Sequence, residues 1–107
     1  MSCKIKMTAA AKADLKEIAV YIYEQSEERE IALRFVKELQ ERCKILEDFP
    51  ECGSIPNDRT LMSAGYRFLV HKSYLIFYLY KKEENTAYIV AVFNGKRDYM
   101  RVMKKYL

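Results

Sequence analysis

The 107-residue sequence has no tryptophan, only one histidine, three glycines and two prolines. The single histidine, His71, is too little for a multi-histidine metal site and leaves little basis for a Ser–His–Asp triad. The glycines do not form a glycine-rich phosphate-binding motif. The sequence therefore predicts no metal and no cofactor, and it shows no familiar set of hydrolase residues.

Cysteine is also scarce. Cys3, Cys43 and Cys52 are odd in number and none belongs to a CxxC pair, so neither a disulfide framework nor a zinc site is expected. No segment approaches the roughly 18 apolar residues of a transmembrane helix. The N-terminus lacks an apolar run of signal-peptide length. We expect reduced thiols, a cytoplasmic location and no membrane partner.

The charge is mildly basic and unevenly distributed. At this length we expect one domain spanning 1–107, with a formal net charge of +4. The segment from Glu24 to Glu30 is acidic, whereas the last twelve residues hold one acid, Asp98. Five basic residues occupy that terminal segment: Lys96, Arg97, Arg101, Lys104 and Lys105. Such a basic end suits an acidic protein partner or a nucleic acid.

Hydrophobic periodicity predicts the element order β-α-α-β-β-β-α. The predicted elements are a strand over 3–7, helices over 9–25 and 28–48, strands over 65–71, 73–80 and 86–93, and a helix over 97–106. The strand over 73–80 is apolar or aromatic on both faces, which is typical of a central strand. This order predicts an α+β domain in which a helical hairpin packs on one face of a curved antiparallel sheet. We expect the opposite face to be concave and partly open.

Local signals add four expectations about the helices and the loop. Thr8 is predicted to cap the first helix and Ser26 the second. Glu38 and Arg42 are spaced to pair on the outer face of the second helix. Residues 50–64 contain both prolines and are predicted to form a long surface loop.

The end of the last strand carries the main functional signal. An apolar run from Tyr88 to Phe93 leads into Asn-Gly-Lys-Arg-Asp-Tyr, so a buried, rigid strand must present these polar groups at a fixed place. Earlier segments supply further basic or phenolic candidates, so that the whole set is Arg67, His71, Lys72, Lys96, Arg97 and Tyr99. Two interpretations follow from these residue types. The set can cleave a phosphodiester without a metal, or it can be a solvated basic rim that binds an acidic partner.

The ordered motifs resemble the ParE/RelE superfamily of bacterial toxins along essentially the whole chain. The matching segments are Ala9 to Ile18, Phe35-Val-x-x-Leu39, Leu46-x-x-Phe49-Pro50, Gly65-Tyr-Arg-x-Leu-Val70, Tyr74-x-Ile-Phe-Tyr78 and Val90-x-Val-Phe-x-Gly-x-Arg-Asp98. The resemblance implies a RelE/ParE-like fold and the toxin half of a type II toxin–antitoxin pair. It also implies a cognate antitoxin that wraps and neutralises the toxin in a hetero-oligomer, and the basic surface of this chain favours an acidic antitoxin.

The resemblance is closer to the ParE-like branch. RelE-like toxins, which cut messenger RNA on the ribosome, carry two lysines on one strand where this sequence has Arg67 and Leu69. On the next strand they carry an arginine where this sequence has Leu75. Arg97 is retained, whereas the tyrosine of their C-terminal helix has no match in register. Loss of positive groups at a scissile phosphate removes transition-state stabilisation.

Three hypotheses therefore remain, and they assign different roles to the same residues. A ParE-like toxin would inhibit DNA gyrase through Lys96, Arg97, Arg101, Lys104 and Lys105. A RelE-like ribonuclease would use a catalytic set drawn from Arg67, Arg97, Tyr99 and His71. A toxin-fold protein without activity would serve only as an antitoxin-binding partner.

Overall fold

The structure, a computed structural model, describes residues 2–107. Its elements follow the order β1 (Lys4–Met7), α1 (Ala9–Ser26), α2 (Arg29–Arg42), α3 (Arg59–Ser63), β2 (Tyr66–His71), β3 (Tyr74–Lys81), β4 (Thr86–Asn94) and α4 (Tyr99–Met103). Short 3-10 turns extend α2 over Cys43–Glu47, join β3 to β4 over Lys82–Glu84, and extend α4 over Lys104–Tyr106. The predicted α+β class is confirmed.

The four strands form one mixed sheet in the order β1-β4-β3-β2. Strands β2, β3 and β4 are antiparallel neighbours, as tight connections require, and β3 is central as predicted. Strand β1 instead runs parallel to β4, with Met7 opposite Ile89. The sheet therefore differs from the fully antiparallel expectation, because nearly the whole chain separates β1 from β4 and no hairpin fixes their relative direction.

The helical hairpin forms where the sequence indicates, although its second cap differs. Thr8 caps α1 by accepting from the amide of Ala11 at 3.1 Å, as predicted. Glu27 then adopts a left-handed conformation (φ 59°) that ends α1, and Glu28 occupies the N-cap position of α2 without a side-chain hydrogen bond. The prediction that Ser26 caps α2 is wrong, because Ser26 is still the last residue of α1 and its hydroxyl donates to the carbonyl of Ile22.

The hairpin packs on one sheet face and forms the first core. This core joins Leu15 and Ile18 of α1 to Leu39 of α2 and to alternate residues of the central strand, Ile76 and Tyr78. Each of these side chains is almost fully buried. Burial of a large apolar side chain stabilises by about 1.5–3 kcal/mol, so this layer fixes the sheet against the hairpin.

The opposite sheet face is covered, not open. Leu61 of α3 and Met103 of α4, both fully buried, pack over Phe77 and Phe93 to form a second core. The expectation of a partly open concave face is therefore wrong. Helix α3 arises inside the predicted surface loop, because Asp58 caps it by accepting from the amide of Leu61 at 2.9 Å.

Strand β4 contains a bulge that ends its pairing with β1. Phe77 lies opposite Ala91 whereas Tyr78 lies opposite Ile89, so Val90 is the extra residue. Both Val90 and Ala91 therefore face the second core. Beyond Ile89 the edge of β4 turns away from β1 and faces α1. This arrangement leaves the last residues of β4 beside a helix instead of a strand.

Candidate functional site

Three strands end or begin at one border of the sheet. His71 ends β2, Tyr74 begins β3 and Asn94 ends β4, and the registers place Tyr74 opposite both His71 and Asn94. Neighbouring strands lie about 4.8 Å apart, so the three residues form a row about 10 Å wide. We call this border, residues 71–74 and 94–97, the sheet end.

A tight turn after β4 presents the basic residues of the sheet end. The Gly95 amide donates to the carbonyl of Ser73, and a Cβ at Gly95 would lie 3.1 Å from that oxygen. The side-chain oxygen of Asn94 accepts from the Lys96 amide at 2.8 Å, and the backbone carbonyl of Asn94 accepts from the Arg97 amide at 3.1 Å. Lys96 and Arg97 are exposed on this rigid turn, as the sequence predicts for the end of a buried strand.

At the β2 side of the sheet end, His71 and Lys72 are tied to α2. Glu38 Oε1 lies 3.0 Å from His71 Nε2 and 3.2 Å from Lys72 Nζ. Both contacts lower the pKa of Glu38. Phe35 packs against the His71 ring, and Lys72 lies 5.5 Å from the Phe35 ring centre. These contacts hold both basic groups in a local network instead of leaving them free for a ligand.

Glu38 and Arg42 do not form the predicted pair with each other. Arg42 Nε instead donates to the carbonyl of Val70 at 2.9 Å, whereas Glu38 binds His71 and Lys72. Both side chains of α2 thus reach the β2–β3 hairpin. The tertiary contacts win because the hairpin supplies partners that an isolated helix lacks.

On the other side of the sheet end, a cleft of about 300 Å³ separates α1 from β4. Six polar residues, two of them tyrosines, line it: Asp14, Glu17, Tyr21, Tyr74, Asn94 and Arg97. Asp14 Oδ2 accepts from the amide of Val92 at 2.9 Å, which satisfies the β4 edge that β1 no longer pairs. Burial raises the pKa of Asp14, opposed by this hydrogen bond and by Lys105 and Arg97.

The C-terminal helix carries the remaining basic residues of the predicted target-binding set. Asp98 caps α4 by accepting from the amide of Met100 at 3.0 Å. Arg101, Lys104 and Lys105 are exposed, while Met103 anchors the helix in the second core. The positive charges of Lys105 and Arg97 both lower the pKa of Asp14, so the end of the basic helix and Arg97 lie on the same side of the molecule as the cleft.

Arg67 lies elsewhere and serves the packing of the loop. It precedes His71 by four strand positions, which separates the two by about 13 Å. Its Nη1 donates to the carbonyl of Gly53 at 3.1 Å. The Gly53 amide in turn donates to the hydroxyl of the fully buried Tyr78 at 2.9 Å. A Cβ at Gly53 would lie 2.6 Å from this hydroxyl, so only glycine allows the approach.

Tyr99 lies on the opposite sheet face from Arg97. Its ring packs against Phe77 and Phe68, and its hydroxyl accepts from the amide of Asn57 at 2.9 Å. The structure thus brings His71 and Arg97 to one sheet end but separates Arg67 and Tyr99 from them. The four residues named for phosphodiester cleavage do not converge on one point.

Sequence reasoning missed the acidic and aromatic wall of the cleft. Asp14, Glu17 and Tyr21 recur at three- and four-residue spacing along α1, which places them on one helix face. That spacing was available as a signal, but their nearness to Arg97 depends on how α1 packs against β4.

Two further classes of feature are missing from the described part of the chain. No group of three or more histidine, cysteine or acidic side chains within residues 2–107 is placed to hold a metal ion. No helix in that range is long and apolar enough to cross a membrane.

Comparison with known proteins now adds to this geometry. Residues 5–99 match a family model described as the ParE toxin of the type II toxin–antitoxin system parDE. No curated protein sequence matches the chain.

Solved structures share the fold at low sequence identity. A chain of the chromosomal ParDE toxin–antitoxin system from P. aeruginosa aligns with a TM-score of 0.70 at 22% identity, over 87% of this chain and 96% of that one. A chain of the RelBE2 toxin–antitoxin complex from Mycobacterium tuberculosis gives 0.65 at 18% identity, over 88% and 92%. The isolated E. coli RelE toxin gives 0.54 at 12% identity, over 99% and 100%.

Proposed function

Because this chain belongs to the ParE toxin family of type II toxin–antitoxin systems, we propose that it inhibits DNA gyrase and is neutralised by a cognate acidic antitoxin. The observation that supports gyrase is the exposed basic surface formed by Lys96, Arg97, Arg101, Lys104 and Lys105. Gyrase works with bound DNA, and a basic surface favours association with a DNA-bearing target.

The ribonuclease alternative has less support from the geometry. General acid–base catalysis needs each group within hydrogen-bond reach of the reacting atoms. Here the Tyr99 hydroxyl binds the Asn57 amide, and Arg67 binds the Gly53 carbonyl. Retention of Arg97 and the structural likeness to RelE keep ribosome-dependent messenger RNA cleavage as the second candidate.

The test is a supercoiled-plasmid assay with purified gyrase and ATP, read as linear DNA after the enzyme is denatured. We expect cleavage complexes to accumulate with the full chain. A variant lacking residues after Asp98 should lose the effect if the basic helix carries it, provided that circular dichroism shows a folded protein. No linear DNA from the folded, antitoxin-free protein would contradict the proposal.

Antitoxin binding is supported by a second surface on the helical hairpin. A groove of about 720 Å³ lies between β1, α1 and α2. Its floor is apolar, formed by Met7, Leu15, Ala19, Leu33 and Val36, and three lysines line it: Lys6, Lys12 and Lys16. The groove adjoins β1, which is an edge strand of the sheet. An acidic segment with one apolar face complements both features.

This proposal predicts a charge-dependent complex with the cognate antitoxin. Replacing Lys6, Lys12 and Lys16 by Gln should weaken the complex at low ionic strength and make its affinity less dependent on salt than that of the wild type, because salt screens the attraction that these lysines supply. The matched control replaces the exposed lysines Lys37, Lys81 and Lys82 by Gln, with the same change in net charge. Equal weakening in both triple variants, measured by calorimetry, would argue against the groove.

A protein without activity is the third hypothesis, and the gyrase and antitoxin assays together with a ribosome-dependent messenger RNA cleavage assay separate it. It predicts antitoxin binding together with no effect on either gyrase or ribosome-bound messenger RNA. Growth arrest on expression of the chain alone would contradict it.

A further inference from the structure

The cleft between α1 and β4 combines Arg97, which the proposed function uses, with two kinds of group that it does not use. Arg97 contributes a positive charge, Glu17 and Asp14 contribute carboxylates, and Tyr21 and Tyr74 contribute aromatic rings. A solvated basic rim would need only the first. The mixture therefore points to a ligand that itself combines an anion, hydrogen-bond donors and a flat ring.

The charges in the cleft exclude simpler ligands. A small cation would meet Arg97 and the nearby Lys105, which already lower the pKa of Asp14. An acidic peptide would bring several anions against the carboxylates of Asp14 and Glu17, whereas a single phosphate needs only Arg97. One carboxylate oxygen of Asp14 already accepts a hydrogen bond from the Val92 amide and is therefore less able to bind a ligand. Glu17, one turn further along α1 and exposed, is the freer acceptor.

The aromatic wall supplies the flat surface. Tyr74 is 8% exposed and lines the cleft beside Asn94, whereas Tyr21 lines the cleft and is 56% exposed. An exposed aromatic ring next to a positive charge is the combination on which unpaired bases stack. The cleft lies at the small end of the range for ligand pockets, so it can receive one nucleotide and not a duplex.

We infer that this cleft binds a single unpaired nucleotide, with its base stacked on Tyr21, the N–H groups of the base edge donating to Glu17, and its phosphate on Arg97. Guanine is favoured because its N1–H and exocyclic amine are adjacent donors that one carboxylate can accept together. Thymine offers a single donor on that edge. The inference rests on the proposed function only in that a gyrase–DNA target presents nucleotides.

The test uses the full-length chain, made by cell-free synthesis, and fluorescein-labelled twelve-nucleotide single strands. One probe is all thymidine, and the other carries one central deoxyguanosine. Fluorescence anisotropy should show roughly tenfold tighter binding of the guanine probe, the discrimination of one two-bond base contact. Glu17→Gln should remove this preference and keep binding of the thymidine probe.

Two further variants test the ring and the charge. Tyr21→Ala should weaken binding of both probes roughly tenfold by loss of stacking. Arg97→Ala should weaken both and reduce the slope of log affinity against log salt by about 0.7, the value for one phosphate contact on a single strand.

Matched controls separate the cleft from general surface effects. Glu24→Gln, Tyr23→Ala and Arg59→Ala change exposed residues of the same types outside the cleft. They should leave both affinities within about twofold, the level of a residue that contacts no nucleotide. Equal affinity for the two probes, no saturable binding at low salt, or equal losses in Tyr21→Ala and Tyr23→Ala would overturn the inference.

Matched RNA probes distinguish the source of the nucleotide. Tighter binding of the ribose strand would assign the cleft to RNA, and tighter binding of the deoxyribose strand would assign it to DNA. Because no gyrase is present, failure of this binding assay leaves the gyrase result unaffected. Conversely, nucleotide binding without cleavage complexes would uphold the cleft and contradict gyrase inhibition.

Discussion

Arg67 and Arg97 each follow a glycine by two residues in the sequence, but they lie in different structural environments. Each also comes close to a tyrosine of the central strand: Arg67 lies opposite Tyr78, and Arg97 lines the cleft together with Tyr74. The Arg67 guanidinium donates a hydrogen bond to the Gly53 carbonyl. Arg97 projects from a turn into a cleft. The comparison teaches that residue type alone does not identify a functional arginine, and that its hydrogen-bond partners do.

The largest expected effect is on the glycine beside Arg67. In Gly53→Ala the new Cβ would lie 2.6 Å from the Tyr78 ring and 3.0 Å from the Phe68 carbonyl oxygen. Since Tyr78 is fully buried and cannot retreat, overpacking should cost about 3 kcal/mol of unfolding free energy. Gly95→Ala, whose Cβ would lie no nearer than 3.1 Å to its neighbours, should cost about 1 kcal/mol.

Urea unfolding followed by circular dichroism measures both changes. Equal stability losses in the two glycine variants would remove the distinction between a packed loop and a surface turn.

The second prediction is that Arg97→Ala impairs activity whereas Arg67→Ala impairs stability. Arg97→Ala should reduce gyrase-dependent cleavage roughly tenfold or more, the effect of losing a hydrogen bond to a charged group, and leave the unfolding midpoint nearly unchanged. Arg67→Ala should retain target inhibition and lower stability by about 1 kcal/mol, because the Gly53 carbonyl loses its donor. Plasmid cleavage and urea unfolding are read on the same preparations. Inhibition lost in Arg67→Ala alone would reverse the assignment.

The third prediction compares the hydroxyl groups of the two tyrosines. Tyr78→Phe leaves the buried Gly53 amide without its acceptor and should cost about 1–2 kcal/mol. Tyr74→Phe keeps a ring in the cleft and should cost less than about 0.5 kcal/mol, since its hydroxyl contacts the side chain of Asn94 at the border of the cleft. Thermal unfolding measures both. A larger loss in Tyr74→Phe would show that the sheet end is packed as tightly as the loop.

The smallest effect is a difference in pH dependence across the sheet end. Contacts with His71 and Lys72 lower the pKa of Glu38, so its contribution is present above its ordinary pKa and is lost as pH falls through the folded value. Burial raises the pKa of Asp14, so its contribution is present below its ordinary pKa and is lost as pH rises through the folded value.

Unfolding free energies measured from pH 3 to pH 6 test these opposite signs. Glu38→Gln should flatten the acid loss of stability, and Asp14→Asn should steepen it, because each removes one of the two opposing contributions. Glu41→Gln, which changes an exposed carboxylate of α2 beyond this network, is the control for Glu38→Gln. Changes of the same sign in the Glu38 and Asp14 variants would contradict the assigned environments.

Much of the architecture could be predicted because it depends on local patterns. The two-sided apolar pattern of β3 identifies a central strand, and Thr8 identifies the start of α1. Helix α3 was missed because Pro56 and its polar neighbours mask the short cap-and-anchor signal of Asp58 and Leu61. The wrong expectation of an open second sheet face has the same cause, since Leu61 of α3 is one of the residues that cover this face.

The sequence by itself determined the order of the four strands and of all helices except α3, the basic C-terminal segment and the family, because apolar periodicity, charge content and ordered motifs are properties of the chain. Only the tertiary structure decided which candidate side chains are free. The bulge at Val90 turns the β4 edge toward α1 and brings Asp14 and Tyr21 beside Arg97. The Tyr78 hydroxyl draws in Gly53 and, with it, Arg67. Both outcomes depend on contacts between residues far apart in the chain, which no local pattern encodes.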